Sequence, residues 1–158
     1  MFSPQVLFEY YQGHKVPNPV NVTLTFKLRA EGQWLTRDAA EQNIKHFRNL
    51  LNRRLFGNAC KRHGRQLRTL IVHEGTEWTR HHIHGAIELP EGWEINDFKQ
   101  LVMSLWMRTR FGYREHHFEV PATAEREDCW LYYCFKKRTK LDFASSVDWA
   151  NSTCFERC

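Results

Sequence analysis

Two imidazoles stand two residues apart in His82-Ile83-His84, and Tyr133-Cys134-Phe135-Lys136 follows about fifty residues later. Side chains alternate along a strand, so His82 and His84 share one face, about 7 Å apart along the chain. Such a pair can hold a divalent ion. Glu74 lies eight residues before His82, across a loop that contains Gly75. A hairpin there would bring its carboxylate beside the histidines. Glu77 is a neighbouring alternative ligand, and so is His73, which falls on the other side of the strand from Glu74. A nitrogen and oxygen shell suits Mg²⁺ or Mn²⁺, where thiolates would favour zinc. An ion held this way acts as a Lewis acid on a phosphate oxygen.

The tyrosine segment reads as a helix. At about 100° per residue, Leu131, Cys134 and Phe135 make an apolar stripe. Tyr133 and Lys136 fall on the opposite side, and Tyr132 falls at the edge of the stripe. A phenol becomes an effective nucleophile when its developing charge is supported. A nearby metal and a lysine one turn away would supply that support. Tyr133 is the preferred nucleophile and Tyr132 the runner-up.

The elements that must position these groups are legible in hydrophobic patterning. Val20 to Leu28 alternates apolar and polar residues, which marks a strand with one buried face. Thr36 can cap a helix that runs to about Phe56 and stops at Gly57. Leu67 to Glu74 and His82 to Leu89 are two further strands. Asn96 to about Arg110 is a second helix, Tyr113 to Val120 a fourth strand, and Thr123 to about Arg138 a third helix. The order β-α-β-β-α-β-α predicts an α+β fold of the split βαβ, ferredoxin-like kind. The expected sheet is antiparallel, with helices on one face and an open polar face for the site. Residues 1–19 read as an arm, 20–140 as the catalytic domain and 141–158 as a tail whose Ser145, Ser146, Asp148 and Trp149 receive no role.

The chain has 158 residues and a formal net charge of +5, which suits one domain with a polyanionic partner. No Asp or Glu occurs from Gln42 to His73, while Lys45, Arg48, Arg53, Arg54, Lys61, Arg62, Arg65 and Arg68 all lie there. These eight cations are the candidate phosphate contacts. The five cysteines form no CxxC pair, so reduced thiols are expected. No segment has the ~20 apolar residues of a membrane span. The first fifteen residues lack an apolar signal core, and an intracellular location with no membrane partner is expected.

Taken together, these residues resemble the HUH endonucleases, and among them the rolling-circle replication initiators. Val22-Thr23-Leu24-Thr25-Phe26 is similar to the family's first motif, His82-Ile83-His84 to its second, and Tyr133 to Lys136 to its third. The resemblance spans roughly residues 20–140. It implies a metal on His82, His84 and an acidic residue, here Glu74, and a nucleophilic tyrosine. It also implies that Lys136 positions the phosphate or the ion. The implied reaction nicks single-stranded or stem-loop DNA through a 5′-phosphotyrosine link, with the replication machinery of the host as a further expected partner. No G-x-x-x-x-G-K-[ST] loop is present, so no helicase is expected in this segment.

Two other readings share parts of this pattern. A single-tyrosine transposase of the same superfamily would use the same chemistry, although Arg80 and His81 precede the histidine pair here and Gly85-Ala86 follow it. An RRM-type binding module would share the sheet but needs exposed aromatics on its central strands, where this chain has Asn21, Thr23, Thr25 and Lys27. Zinc on His116, His117, Cys129 or Cys134 lacks a recognised ligand spacing.

Overall fold

Alternation in Pro19–Phe26 produces β1, the strand around which the fold is organised. The computed structural model describes residues 3–75, 80–135 and 143–156. Its elements are α1 (Pro4–Gln12), β1, a small hairpin of β2 (Arg29–Ala30) and β3 (Gln33–Trp34), α2 (Arg37–Phe56) and α3 (Ala59–Arg62). Then come β4 (Thr69–Glu74), β5 (His82–Glu88), α4 (Ile95–Trp106), β6 (Gly112–Glu119), α5 (Ala124–Cys134), α6 (Phe143–Ser146) and a 3₁₀ turn at Thr153–Phe155. The main sheet runs β4-β5-β1-β6, and every neighbouring pair is antiparallel. This is the α+β split βαβ arrangement that the sequence predicts.

Helix α2 starts where Thr36 Oγ1 accepts the Ala39 amide at 3.1 Å. It ends at Gly57, whose φ of 54° disfavours a side chain. Ala40, Ile44, Phe47 and Leu51 of α2 and Phe98, Val102 and Trp106 of α4 pack on Val20, Val22, Leu24 and Phe26. Trp106 also donates Nε1 to the Thr25 carbonyl at 3.1 Å. One face of β1 is therefore fixed in a core, which leaves Asn21, Thr23 and Thr25 on the other.

The second face is only partly open. The expected arm contains α1, capped by Ser3 Oγ on the Val6 amide. Its Leu7 and Tyr11 join Leu131, Cys134 and Phe135 in a second core over Leu70, Val72 and Ala86. Helices thus lie on both faces, because the outward residues of β4 are apolar and need cover. The open polar strip is confined to the neighbourhood of Thr23, His82 and His117.

The tail is an integral part of the sheet. Val147 bridges Val72, Asp148 donates its amide to the Ile71 carbonyl at 2.9 Å, and Ser152 Oγ accepts the Ile71 amide at 3.0 Å. These bonds satisfy the outer edge of β4. Behind them, Asp148 Oδ2 accepts from His73 Nε2 at 3.1 Å, and His73 Nδ1 lies 2.9 Å from His81 Nε2. A carboxylate only accepts, so neutral His73 carries its proton on Nε2 and His81 donates to Nδ1.

Burial holds His81 down to about 3 and lowers His73 as well, against the pull of Asp148. Burial works to raise Asp148, but bonds from His73 and Asn151 outweigh it and hold the carboxyl below its ordinary value. Below about pH 6.5 the unfolded chain takes up protons on both histidines, which the folded state resists because burial lowers both. Their contribution is complete above that value and is lost as pH falls. The expected slope is up to about 1.4 kcal/mol per pH unit for each histidine. Urea midpoints at pH 7 and pH 5 check this, and equal midpoints would refute it.

Candidate metal centre

The β4–β5 hairpin sets the centre. Glu74 pairs with His82 and Val72 with His84, so Glu74, His82 and His84 emerge on one face. Thr23 pairs with His84 from the other side. Glu74 and His84 are buried, while His82 is partly exposed. One ligand atom from each of the three comes within 4.8 Å of the others. His82 Nε2 and His84 Nε2 stand 3.1 Å apart, and His84 Nε2 is 3.3 Å from a Glu74 oxygen. His73 lies on the opposite face, as expected, and Glu77 lies outside the described residues.

The hydrogen bonds behind the rings orient them. His82 Nδ1 donates to the Arg80 carbonyl at 2.9 Å, which leaves Nε2 with its lone pair in the neutral ring. His84 Nδ1 lies 2.9 Å from Thr23 Oγ1. With both Nδ1 atoms as donors, two Nε2 lone pairs and a carboxylate converge. Converging lone pairs repel unless a proton or a cation lies between them. Separations of 3.1 and 3.3 Å also match two ligands on one ion with bonds of about 2.0–2.3 Å. The group could therefore hold a metal ion.

Thr23 is the residue behind His84. Thr23→Val is expected to weaken metal binding about 10- to 100-fold, as outer partners of ligating histidines do, with the strand retained. Titration with Mn²⁺ followed by the free-ion paramagnetic signal measures it, and an unchanged affinity would remove Thr23 from the centre.

Helix α5 brings the aromatic groups. Thr123 Oγ1 caps it at the Arg126 amide, 3.2 Å. Leu131 and Cys134 are buried beneath, with Phe135. That packing turns Tyr133 toward the centre, with its ring 5.1 Å from that of His84. Tyr132 turns away, 62% exposed, with its ring edge-on to Phe8 of α1. Tyr133, not Tyr132, is therefore the tyrosine beside the histidines. Lys136 lies outside the described residues.

A cleft of about 510 Å³ opens between α5 and the sheet. Tyr133, His84 and Thr23 line it, with Trp130, His117 and Arg126. Sequence reading did not assign Trp130 to the site. The available signal was its position three residues before Tyr133, which places both on neighbouring parts of one helix face.

The basic cluster does not join this site. Helix α2 packs on the opposite face of the sheet, and none of the eight cations lines the cleft. Lys45, Arg53, Arg54, Lys61, Arg62 and Arg65 are exposed there. Arg48 corrects the expectation of a phosphate contact, since it is buried and donates to Asn151 Oδ1 and Gln66 Oε1, both at 3.0 Å. Arg68 is half-buried and donates to the Glu156 carbonyl at 3.2 Å.

A second group, Glu41, His73 and Asp148, also closes to within ligand distance among the described residues. Among the described residues, no such group uses His116, His117, Cys129 or Cys134. Among the described residues, no helix is long and apolar enough to cross a membrane. No family model, no curated protein and no solved structure matches the chain.

Proposed function

We propose that the chain is a metal-dependent endonuclease and strand transferase for single-stranded or stem-loop DNA, with Tyr133 as nucleophile. The observation that carries this reading is the placement of the Tyr133 ring against His84, which with Glu74 and His82 forms the group that could hold a metal ion.

Glu74, His82 and His84 would hold Mg²⁺ or Mn²⁺, which suit a shell of nitrogen and oxygen donors. Bound there, the ion supplies Lewis acidity toward a phosphate oxygen. The Tyr133 oxygen attacks the phosphorus of a single strand, and the bond from phosphorus to the 3′ oxygen breaks. The phenolic proton passes through solvent to that oxygen, which leaves a 3′-hydroxyl and a 5′-phosphotyrosine. Attack by a 3′-hydroxyl on that link reverses the step and joins ends. Lys136 is assigned to the phosphate by resemblance. Nicking at an origin of rolling-circle replication is the biological setting that the same resemblance supports. The exposed cations of α2 act on DNA by long-range attraction, since they lie across the sheet from the cut.

Incubation with Mn²⁺ and single-stranded oligonucleotides, including stem-loops, is expected to yield a protein–DNA adduct that survives denaturing electrophoresis. EDTA is expected to abolish it. Absence of the adduct with every oligonucleotide in a random-sequence pool would refute the reading.

A further inference from the structure

The cleft beside Tyr133 has an aromatic wall. Trp130 directs its one polar atom, Nε1, at the Gly85 carbonyl, 3.0 Å away. What remains of the indole is an apolar ring that lines the cleft and is partly exposed. Its ring lies near-parallel to that of Tyr133, at 23° and 5.8 Å. His117 approaches from β6, with its ring 6.3 Å from Trp130. Two charged side chains edge this wall: Glu119 beside His117, and Arg126 one helical turn before Trp130. The Arg126 side chain is 69% exposed and only 3.7 Å from Glu119, so it can reach a phosphate without leaving a buried partner. The cleft volume of about 510 Å³ falls in the range of small-molecule sites, about 300–1,000 Å³.

An aromatic wall with cationic and acidic edges suits a heteroaromatic ring on an anionic backbone. We infer that this cleft seats one unpaired nucleobase of the substrate strand flat against Trp130, with Arg126 on an adjoining phosphate. The inference rests on the nuclease reading and adds to it a base-binding pocket next to the scissile phosphate. Base-paired DNA would not enter, because a paired base has no accessible face. The pocket thus selects single strands by stacking, which tolerates any base.

The test uses a single strand that the full chain binds, with each nucleotide in turn replaced by an abasic site. Binding is measured in EDTA and adduct formation in Mn²⁺. At one position near the cut, the abasic change is expected to weaken wild-type binding about ten-fold. The same change is expected to alter binding by Trp130→Leu less than about two-fold. 2-Aminopurine at that position is expected to lose fluorescence on binding, a readout that needs no variant should Trp130→Leu fail to fold. The inference is overturned if the protein forms the adduct yet no position shows both the abasic loss and the quenching. It is also overturned if Trp130→Leu keeps the full abasic penalty. Binding with both signatures but without adduct would keep the pocket and remove the nuclease reading. Absence of both binding and adduct would remove both.

Discussion

A Tyr133→Phe protein is expected to form no denaturation-resistant adduct with single-stranded DNA, whereas Tyr132→Phe is expected to form it at the wild-type level. The two residues are adjacent on α5, yet packing separates them. Burial of Leu131 and Cys134 turns one phenol to His84 and the other to Phe8. Loss of a nucleophile that works as part of a unit removes at least about a thousand-fold of rate. Tyr133 is 44% exposed, so deletion of its hydroxyl should change stability by no more than about 0.5 kcal/mol. Adduct loss in a normally folded Tyr133→Phe protein therefore reports chemistry. Retention of the adduct, with Tyr132→Phe losing it, would reassign the nucleophile.

His84→Ala is expected to abolish metal binding and cleavage together. Of Glu74, His82 and His84, the last has the central position: 3.1 Å from His82, 3.3 Å from Glu74 and backed by Thr23. Its ring also meets Trp130 at 5.5 Å and Tyr133 at 5.1 Å. Its removal leaves His82 and Glu74 without the donor between them, and it loosens the contact that places Tyr133. Metal added at about a hundred times its dissociation constant should stabilise the wild type by about 2.7 kcal/mol. That stabilisation should vanish in His84→Ala and shrink less in His82→Ala, whose ligand is more exposed. Paired denaturation curves with and without Mn²⁺ measure it. Equal metal-induced shifts in wild type and His84→Ala would place the ion elsewhere.

How much of this was legible in the sequence follows from the range of the interactions. The alternation of Val20 to Phe26, the Thr36 cap and the Gly57 stop are local, and the observed elements follow them. Glu74 was readable as far as a hairpin could be guessed. Its register depends on pairing with His82, and the mixed apolar pattern of Leu67 to Glu74 hides that. Arg48 was misread because a run of cations does not reveal an acceptor about a hundred residues away at Asn151. The arm was misread for a related reason. Leu7 and Tyr11 look like scattered apolar residues until the outward face of β4, which also needs cover, is known. Trp130 was missed because its orientation depends on the Gly85 carbonyl of β5, distant in the chain.

The two outer strands of the sheet are guarded in different ways. The chain's own residues from Val147 to Thr153 occupy the edge of β4. Among the described residues, none covers strand β6 in this way, and the strand displays Arg114, Glu115 and His116, all exposed. Charges of this kind discourage addition of a foreign strand. Loss of the segment after residue 142, by proteolysis or truncation, would therefore uncover Leu70 to Val72, an apolar stretch without a gatekeeping charge. Two truncated copies could then dock through that edge. Self-association of the shortened protein, and not mere loss of stability, is the hazard that the strap on β4 holds off.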